Sequence, residues 1–201
     1  MLWEPEAGYF LLDEHMARLR RAADYFVVDM SETAVRQQLA HFAQSLTEPC
    51  KVRLFLADDG QTIVESIPLA SDALPEPVHV GFAQEPIHSD TIWLYYKTTY
   101  REMYNAAKVS RPDCDEVLLW NERGEITEAG SSNIVVKLDG QWLTPPVEAG
   151  LLAGTYREWL LRNGRIQIRT ITRHDLQNAE EIALINSVRR WRKAILIDKD
   201  S

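Results

Sequence analysis

Lys97 follows an apolar and aromatic run, Ile92-Trp93-Leu94-Tyr95-Tyr96, and precedes two threonines, Thr98 and Thr99. A lysine attacks carbonyl groups only as the free amine, so it needs desolvation or neighbouring cations to lower its affinity for the proton. The run ahead of Lys97 offers such surroundings, although lysine stems also snorkel past apolar neighbours with no chemical role. Glu128 lies in "GEITEAGSSNIVV", residues 124–136, after a short strand and ahead of Ala129, Gly130, Ser131 and Ser132. Facing a pocket, its carboxylate could hold a cationic ring nitrogen; facing water, it is an ordinary turn residue. In "TPPVEAGLLAGTYREWLL", residues 144–161, Gly150 and Gly154 bracket a loop that opens onto a helix. The backbone N–H groups of Thr155 and Tyr156 would there point towards an anion, favoured also by the helix dipole. Ser187 follows the apolar stretch "ALIN" and could add a hydroxyl to such a site. Neither a Walker A pattern nor GxGxxG occurs, so a nucleoside triphosphate is not the natural ligand.

These residues need elements to hold them. "LLDEHMARLRRAADYF" has helical spacing in Met16, Leu19, Ala23 and Phe26, with Asp13 as the expected N-cap, and a second helix is expected over Ser31–Leu46. "CKVRLFLA" and "TIVESIPL" flank Asp59-Gly60 as a β-hairpin. Three prolines in "SDALPEPVHVGFAQEPIHSD" mark a domain boundary or crossover near residues 84–90. Lys97 is expected at a strand end, followed by a helix in "YREMYNAAKVS" that Arg111-Pro112 ends. Short strands are expected in "EVLLWN", "NIVVKL", "QWLTPP", "IQIRTI", "IALINSV" and "KAILI", and a helix in "GTYREWLLRNG" with Gly164 as its stop. The outcome is an α+β chain whose C-terminal part is rich in strands.

Bulk properties narrow the function classes. With 201 residues the chain can bury a real core in one or two domains. A formal net charge of −8 argues against broad nucleic-acid binding but leaves room for a local arginine pocket that takes a small anionic ligand. Cys50 and Cys114 form no CxxC pair, which fits a reducing, cytoplasmic setting. The five histidines lack HxH or HxxxH spacing, so no metal site is expected, and no run of apolar residues reaches membrane-spanning length.

Singly, each candidate has an ordinary explanation. In order along the chain, Lys97, Glu128, the Gly154-Thr155-Tyr156 loop and Ser187 resemble the class IV, fold-type IV pyridoxal-phosphate enzymes. This family includes branched-chain aminotransferases, D-amino acid aminotransferases and aminodeoxychorismate lyases. The resemblance is carried by "KTTYR" at 97–101, "EVLLWNERGEITEAGSSNI" at 116–134, "WLTPPVEAGLLAGTYR" at 142–157, "NS" at 186–187 and "DEHMARL" at 13–19. It implies a fold-type IV architecture with a small α/β N-terminal domain, residues 1–86, and a larger cofactor-binding domain, residues 87–201. It implies pyridoxal 5'-phosphate as cofactor, joined to Lys97 as a Schiff base, with Lys97 later moving protons at the substrate's alpha carbon. Glu128 would pair with the protonated pyridine nitrogen and Leu152 would pack on the ring. Thr155, Tyr156, Ser187 and Arg18 would hold the phosphate.

Within the family, "WEPEAGYFLLDEHMARL" and "KTTYREMY" look most like the lyase-like domain fused behind para-aminobenzoate synthase component I. The implied reaction is elimination of pyruvate from 4-amino-4-deoxychorismate, giving 4-aminobenzoate for folate synthesis. The alternatives are a class IV aminotransferase and a catalytically silent module. Two departures matter. Five residues beyond Lys97, where aminotransferase members carry a tyrosine for the cofactor's phenolic oxygen, this chain has Glu102, with Tyr100 and Tyr104 on either side. The chain also opens within the hairpin that feeds the Arg18 helix, so relative to the family it is expected to be shortened at its N-terminus. The resemblance further implies a homodimer, a small anionic substrate and a para-aminobenzoate synthase component as partner, with no nucleic-acid or membrane partner. Arg101, Arg189 and Arg190 are the candidates for an acidic substrate's carboxylates.

Overall fold

The computed structural model of the chain describes residues 1–72 and 75–198. The chain divides into two compact units, residues 1–73 and 74–201. In the first, strands β1 (Leu2–Glu4), β2 (Gly8–Tyr9), β3 (Cys50–Leu56) and β4 (Thr62–Pro68) form a sheet in the order β2-β1-β3-β4. Helices α1 (Leu12–Phe26) and α2 (Glu32–Ala43) complete the unit. Its core gathers Trp3, Met16, Val35, Leu39, Cys50 and Val52, the apolar faces of both helices against the inner positions of β1 and β3. Ser31 caps α2 by accepting from the Ala34 N–H. The cap expected at Asp13 is different: the N-cap is Leu11, two residues earlier, in a left-handed conformation and with no side-chain cap. Asp13 instead adds negative charge to the first turn, where the helix dipole favours it.

The second unit holds the long sheet: β5 (Val78–Phe82), β6 (Glu116–Trp120), β7 (Ile126–Ala129), β8 (Asn133–Leu138), β9 (Gln141–Thr144), β10 (Gln167–Ile168), β11 (Glu181–Asn186) and β12 (Arg190–Leu196). Around it run α3 (Glu102–Ser110), α4 (Thr155–Arg162) and α5 (Arg173–Gln177). Sheet order is β10-β9-β8-β11-β12-β5-β6-β7, and β7 pairs back onto β8. Six strands therefore close on themselves, and the seam is the pair Glu128–Asn133 with the Ala129 N–H bonded to the Ser132 carbonyl at 2.8 Å. Closure leaves no open edge on those six strands.

Alternation along the strands sorts the side chains into an interior and an outer layer. Ile182 and Leu184 of β11, Ile134 and Val136 of β8, and Leu118 of β6 pack inside with Val78, Val80 and Ile126. Val135, Ala183 and Ile185 turn outwards onto Leu160 of α4. Val117 and Leu119 turn outwards onto Tyr104 of α3 and onto Leu94. Thus α3 and α4 cover neighbouring outer faces, and the β7–β8 seam presents Glu128 to both.

The unit boundary falls earlier than residue 86 because Val78–Phe82 is a sheet strand, parallel to both β12 and β6. Residues 73 and 74 of the proline-rich stretch lie outside the described residues. The run ahead of Lys97 also departs from expectation. Ile92–Leu94 is a 3-10 turn rather than a strand, because Leu94 turns down into the outer layer while the Tyr95 hydroxyl donates to the Ser89 carbonyl at 2.5 Å.

Candidate active site

Glu128 is in the last turn-ward half of β7, not beyond it, and is only 5% exposed. One carboxylate oxygen, Oε1, accepts from the Tyr104 hydroxyl at 2.7 Å. The other, Oε2, accepts from the Asn133 amide nitrogen at 3.3 Å. The same Asn133 nitrogen donates to the Leu152 carbonyl at 2.9 Å, and the Leu152 backbone N–H donates to the Glu128 carboxyl. Burial pushes the Glu128 carboxyl up from an ordinary value near 4.5 to about 7; the Tyr104 hydrogen bond, the Lys97 ammonium, the Leu152 N–H and the Arg101 guanidinium pull the other way. The solvated-turn explanation of Glu128 fails: this is a desolvated acid hydrogen-bonded on both of its oxygens.

Lys97 acts on that carboxyl through its charge, which places the two sequence candidates at one locality. The lysine itself is exposed, so the aromatic run does not desolvate it: Leu94 and Tyr95 point into the layer beneath. What the run does instead is anchor the segment. Ser89 donates through both its N–H and hydroxyl to Glu122, at 2.9 and 2.6 Å, while its carbonyl takes the Tyr95 hydroxyl. Arg123 joins Ser89, Glu122 and Glu125 in the same network.

The glycine loop meets the Lys97 segment and the Glu128 seam in turn. Gly150 has φ +99°, and a Cβ on it would lie 3.1 Å from both Leu94 Cδ1 and Ser89 Cα. A side chain there would be strained by the positive φ and would crowd both neighbours. At Gly154, the N-cap of α4, an added Cβ would overlap Asn133 Oδ1. Asn133 is therefore wedged between Glu128, Leu152 and Gly154. Leu152 is half-buried, Thr155 is buried, and Tyr156 stacks on Trp159 with ring centroids 5.9 Å apart. Both Thr155 and Tyr156 belong to the first turn of α4, whose N–H groups are directed out of the helix end.

Ser187 lies in the turn between β11 and β12, half-buried. Its neighbour Asn186 ties that turn down: the amide nitrogen donates to Ser132 Oγ at 3.0 Å, and Oδ1 accepts from the Val188 and Arg189 N–H groups. The turn is thus fixed to the Ser131-Ser132 link beside Glu128. Arg18 is in the other unit, on α1, with Nη2 3.5 Å from His15 Nδ1. Burial first, then the N-terminal ammonium and Arg18, push His15 down to about 2, so it stays neutral and its Nδ1 can accept from arginine.

Four residues with local roles went unnoticed in the sequence. Asn133 sits in the quoted "GSSNI" but only its contacts reveal a role. His15 lies three residues before Arg18, one helical turn away, a spacing that could have drawn notice. Asn186 carries no signal of its own. Arg157, 1% exposed, donates to the Pro145 carbonyl at 2.7 Å and to Glu158, and its Nε has no hydrogen-bond partner among the described residues. Among the other candidates, Tyr100 is exposed and its hydroxyl donates to Glu102 at 3.0 Å. Arg101 lies over the Tyr104 ring at 4.4 Å and donates to the Gly130 carbonyl, so it braces the site from within its own unit.

A family model described as amino-transferase class IV matches residues 1–197. A proposed aminodeoxychorismate lyase of Schizosaccharomyces pombe is 30% identical over 199 residues, covering 94% of this chain and 84% of the yeast protein. The crystal structure of a proposed amino-acid aminotransferase from Mesorhizobium loti superposes with a TM-score of 0.89 at 30% identity, covering 98% of this chain and 97% of that one. A proposed 4-amino-4-deoxychorismate lyase from Legionella pneumophila shares the fold at a TM-score of 0.83 and 19% identity, covering 98% and 81%.

Proposed function

Since the chain belongs to the class IV aminotransferase family, we propose that it is a pyridoxal 5'-phosphate enzyme of the aminodeoxychorismate lyase kind, converting 4-amino-4-deoxychorismate to 4-aminobenzoate and pyruvate. The carrying observation is the buried Glu128 carboxyl, held from both oxygens at the barrel seam with the Lys97 charge acting on it. Such a carboxyl suits a protonated ring nitrogen, because a positive charge beside it favours its ionised form against burial. The lyase reading is supported by the likeness to the S. pombe protein along nearly the whole chain.

When bound, the cofactor would supply an aldehyde and an electron-withdrawing ring that stabilises negative charge at the substrate's alpha carbon. The chain's own parts have distinct tasks. Lys97 Nζ would hold the cofactor through its aldehyde and, as the free amine, would take the proton from the ring carbon bearing the substrate's amino group and pass it to the departing enolpyruvyl group, which leaves as pyruvate. Glu128 would accept the ring nitrogen's proton in a hydrogen bond. Leu152 would pack on the ring, and the Thr155 and Tyr156 N–H groups and the Ser187 hydroxyl would take the phosphate. In the overall reaction the enolpyruvyl C–O bond breaks, pyruvate leaves, and the cyclohexadiene becomes aromatic; no oxidant is needed. A homodimer, 4-aminobenzoate supply for folate, and a para-aminobenzoate synthase component as source of the substrate complete this proposal.

The aminotransferase alternative is favoured by the M. loti structure at the same 30% identity. One incubation separates the two. Protein loaded with pyridoxal 5'-phosphate is given 4-amino-4-deoxychorismate, or amino acids with 2-oxoglutarate, and products are read by chromatography. Release of 4-aminobenzoate and pyruvate in equal amounts supports the lyase, and new keto acids alone replace it with the aminotransferase. A protein that stays colourless with cofactor, and takes no borohydride-fixed label on Lys97, is the silent module.

A further inference from the structure

Tyr104 has its hydroxyl on Glu128 Oε1 at 2.7 Å, inside a pair that is buried on both sides. The hydroxyl is aimed rather than incidental. Tyr104 lies on α3 among Val117, Leu119, Leu94 and Cys114, which fix its ring. Arg101, at the start of the same helix, lies over that ring at 4.4 Å and is itself tied to the Gly130 carbonyl in the loop after Glu128. On the far side of the carboxyl, Asn133 and the Leu152 N–H hold the group, and the close approach of Gly154 to Asn133 leaves the amide no room to swing. A carboxylate offers about four acceptor directions across its two oxygens. With these three donors in place, one direction remains for a further donor.

We propose that Tyr104 is a positioning residue: its hydroxyl hydrogen fixes the orientation of Glu128 and favours its charged form, so that the remaining acceptor direction meets a cationic ring nitrogen. This rests on the reading that the site takes pyridoxal 5'-phosphate. Tyr104 then cannot also donate to the cofactor's phenolic oxygen, because its one hydroxyl proton is given to Glu128. The titratable and charged groups that face Glu128 are Tyr104 of α3, Arg101 just ahead of it, Lys97 from the preceding loop and Arg157 from α4, and Tyr104 donates to it directly.

Tyr104→Phe keeps the ring and its packing and removes only the hydroxyl. In cofactor-free protein with carbon-13 in its glutamate carboxyls, Glu128 is identified by the signal lost in Glu128→Gln. Its titration midpoint is expected to rise by about one to two pH units in Tyr104→Phe, as loss of a hydrogen bond to a charged group requires. The dissociation constant for pyridoxal 5'-phosphate, read by absorbance, is expected to rise about tenfold, with Tyr100→Phe unchanged in both measurements. An unmoved Glu128 midpoint, or a moved midpoint with wild-type cofactor affinity, overturns the role of Tyr104. Wild-type protein without affinity for pyridoxal 5'-phosphate overturns the function itself and this proposal with it, and that failure is visible before any variant is made.

Discussion

At the scale of residues, the chemistry turns on how Glu128 and Lys97 are housed, and the two are housed oppositely. Glu128 is buried and hydrogen-bonded on both oxygens; Lys97 is exposed and its segment is anchored through Ser89 and Tyr95 instead. Replacing Lys97 with alanine removes both the amine and the proton carrier, so turnover should fall by about 10²–10⁴-fold or more, measured as 4-aminobenzoate release. Glu128 makes a pH prediction on the cofactor-free protein. Its folded midpoint is raised to about 7 from near 4.5, so as pH climbs through that window the unfolded chain loses its proton while the folded one keeps it. Stability therefore falls with rising pH across the window, by on the order of 2 kcal/mol from this group. Denaturant titrations at pH 5 and pH 7.5 should show that loss in the wild type and a smaller one in Glu128→Gln.

Among the elements, the loop from Gly150 to Gly154 and the start of α4 join the separate parts of the site. Gly150→Ala meets an unfavourable positive φ and close contacts with Leu94 and Ser89, so it should cost about 1–3 kcal/mol in chemical denaturation. Gly154→Ala drives its Cβ into the wedged Asn133 amide and disturbs the buried hydrogen bonds to Glu128 and to the Leu152 carbonyl. It should cost about 1–3 kcal/mol in the same titration and also weaken pyridoxal 5'-phosphate binding by about tenfold, as Glu128 loses one of its holders. Most of these elements were legible in the sequence: the Ser31 cap, the Asp59-Gly60 hairpin and α3 and α4 occur where periodicity and turn residues put them. The run before Lys97 was misread, since five apolar residues in a row fit a strand or a buried turn equally and periodicity cannot tell them apart. α5 is short, and its capping box at Thr172 and Asp175 was the one local sign of it.

On the scale of the whole second unit, the closed six-strand sheet determines where the site can be. Its seam is the single pair Glu128–Asn133, and both members serve the site as well as the sheet. Leu118, fully buried in the interior on the strand next to β7, tests how far the seam depends on the core. Leu118→Ala should cost about 2–5 kcal/mol in urea unfolding. The cavity it leaves lies in the interior cluster, apart from the outer layer where Tyr104 packs, so the Glu128 titration midpoint should stay in place in the folded variant. No helix of the described residues is long and apolar enough to cross a membrane.

The family, the α+β class and the candidacy of Lys97 and Glu128 followed from residue type and order along the chain, which are what a family shares. It could not say that Glu128 is buried, that Tyr104 donates to it, or that Asn133 and Gly154 interlock, for these depend on strands far apart in sequence meeting at a barrel seam. Burial is a property of what covers a residue, and for Glu128 the covering pieces are α3, the Leu152 loop and β8. For Lys97 the same physics ran the other way: its apolar neighbours were legible, but the side they turn to was decided only when Leu94 found the outer layer.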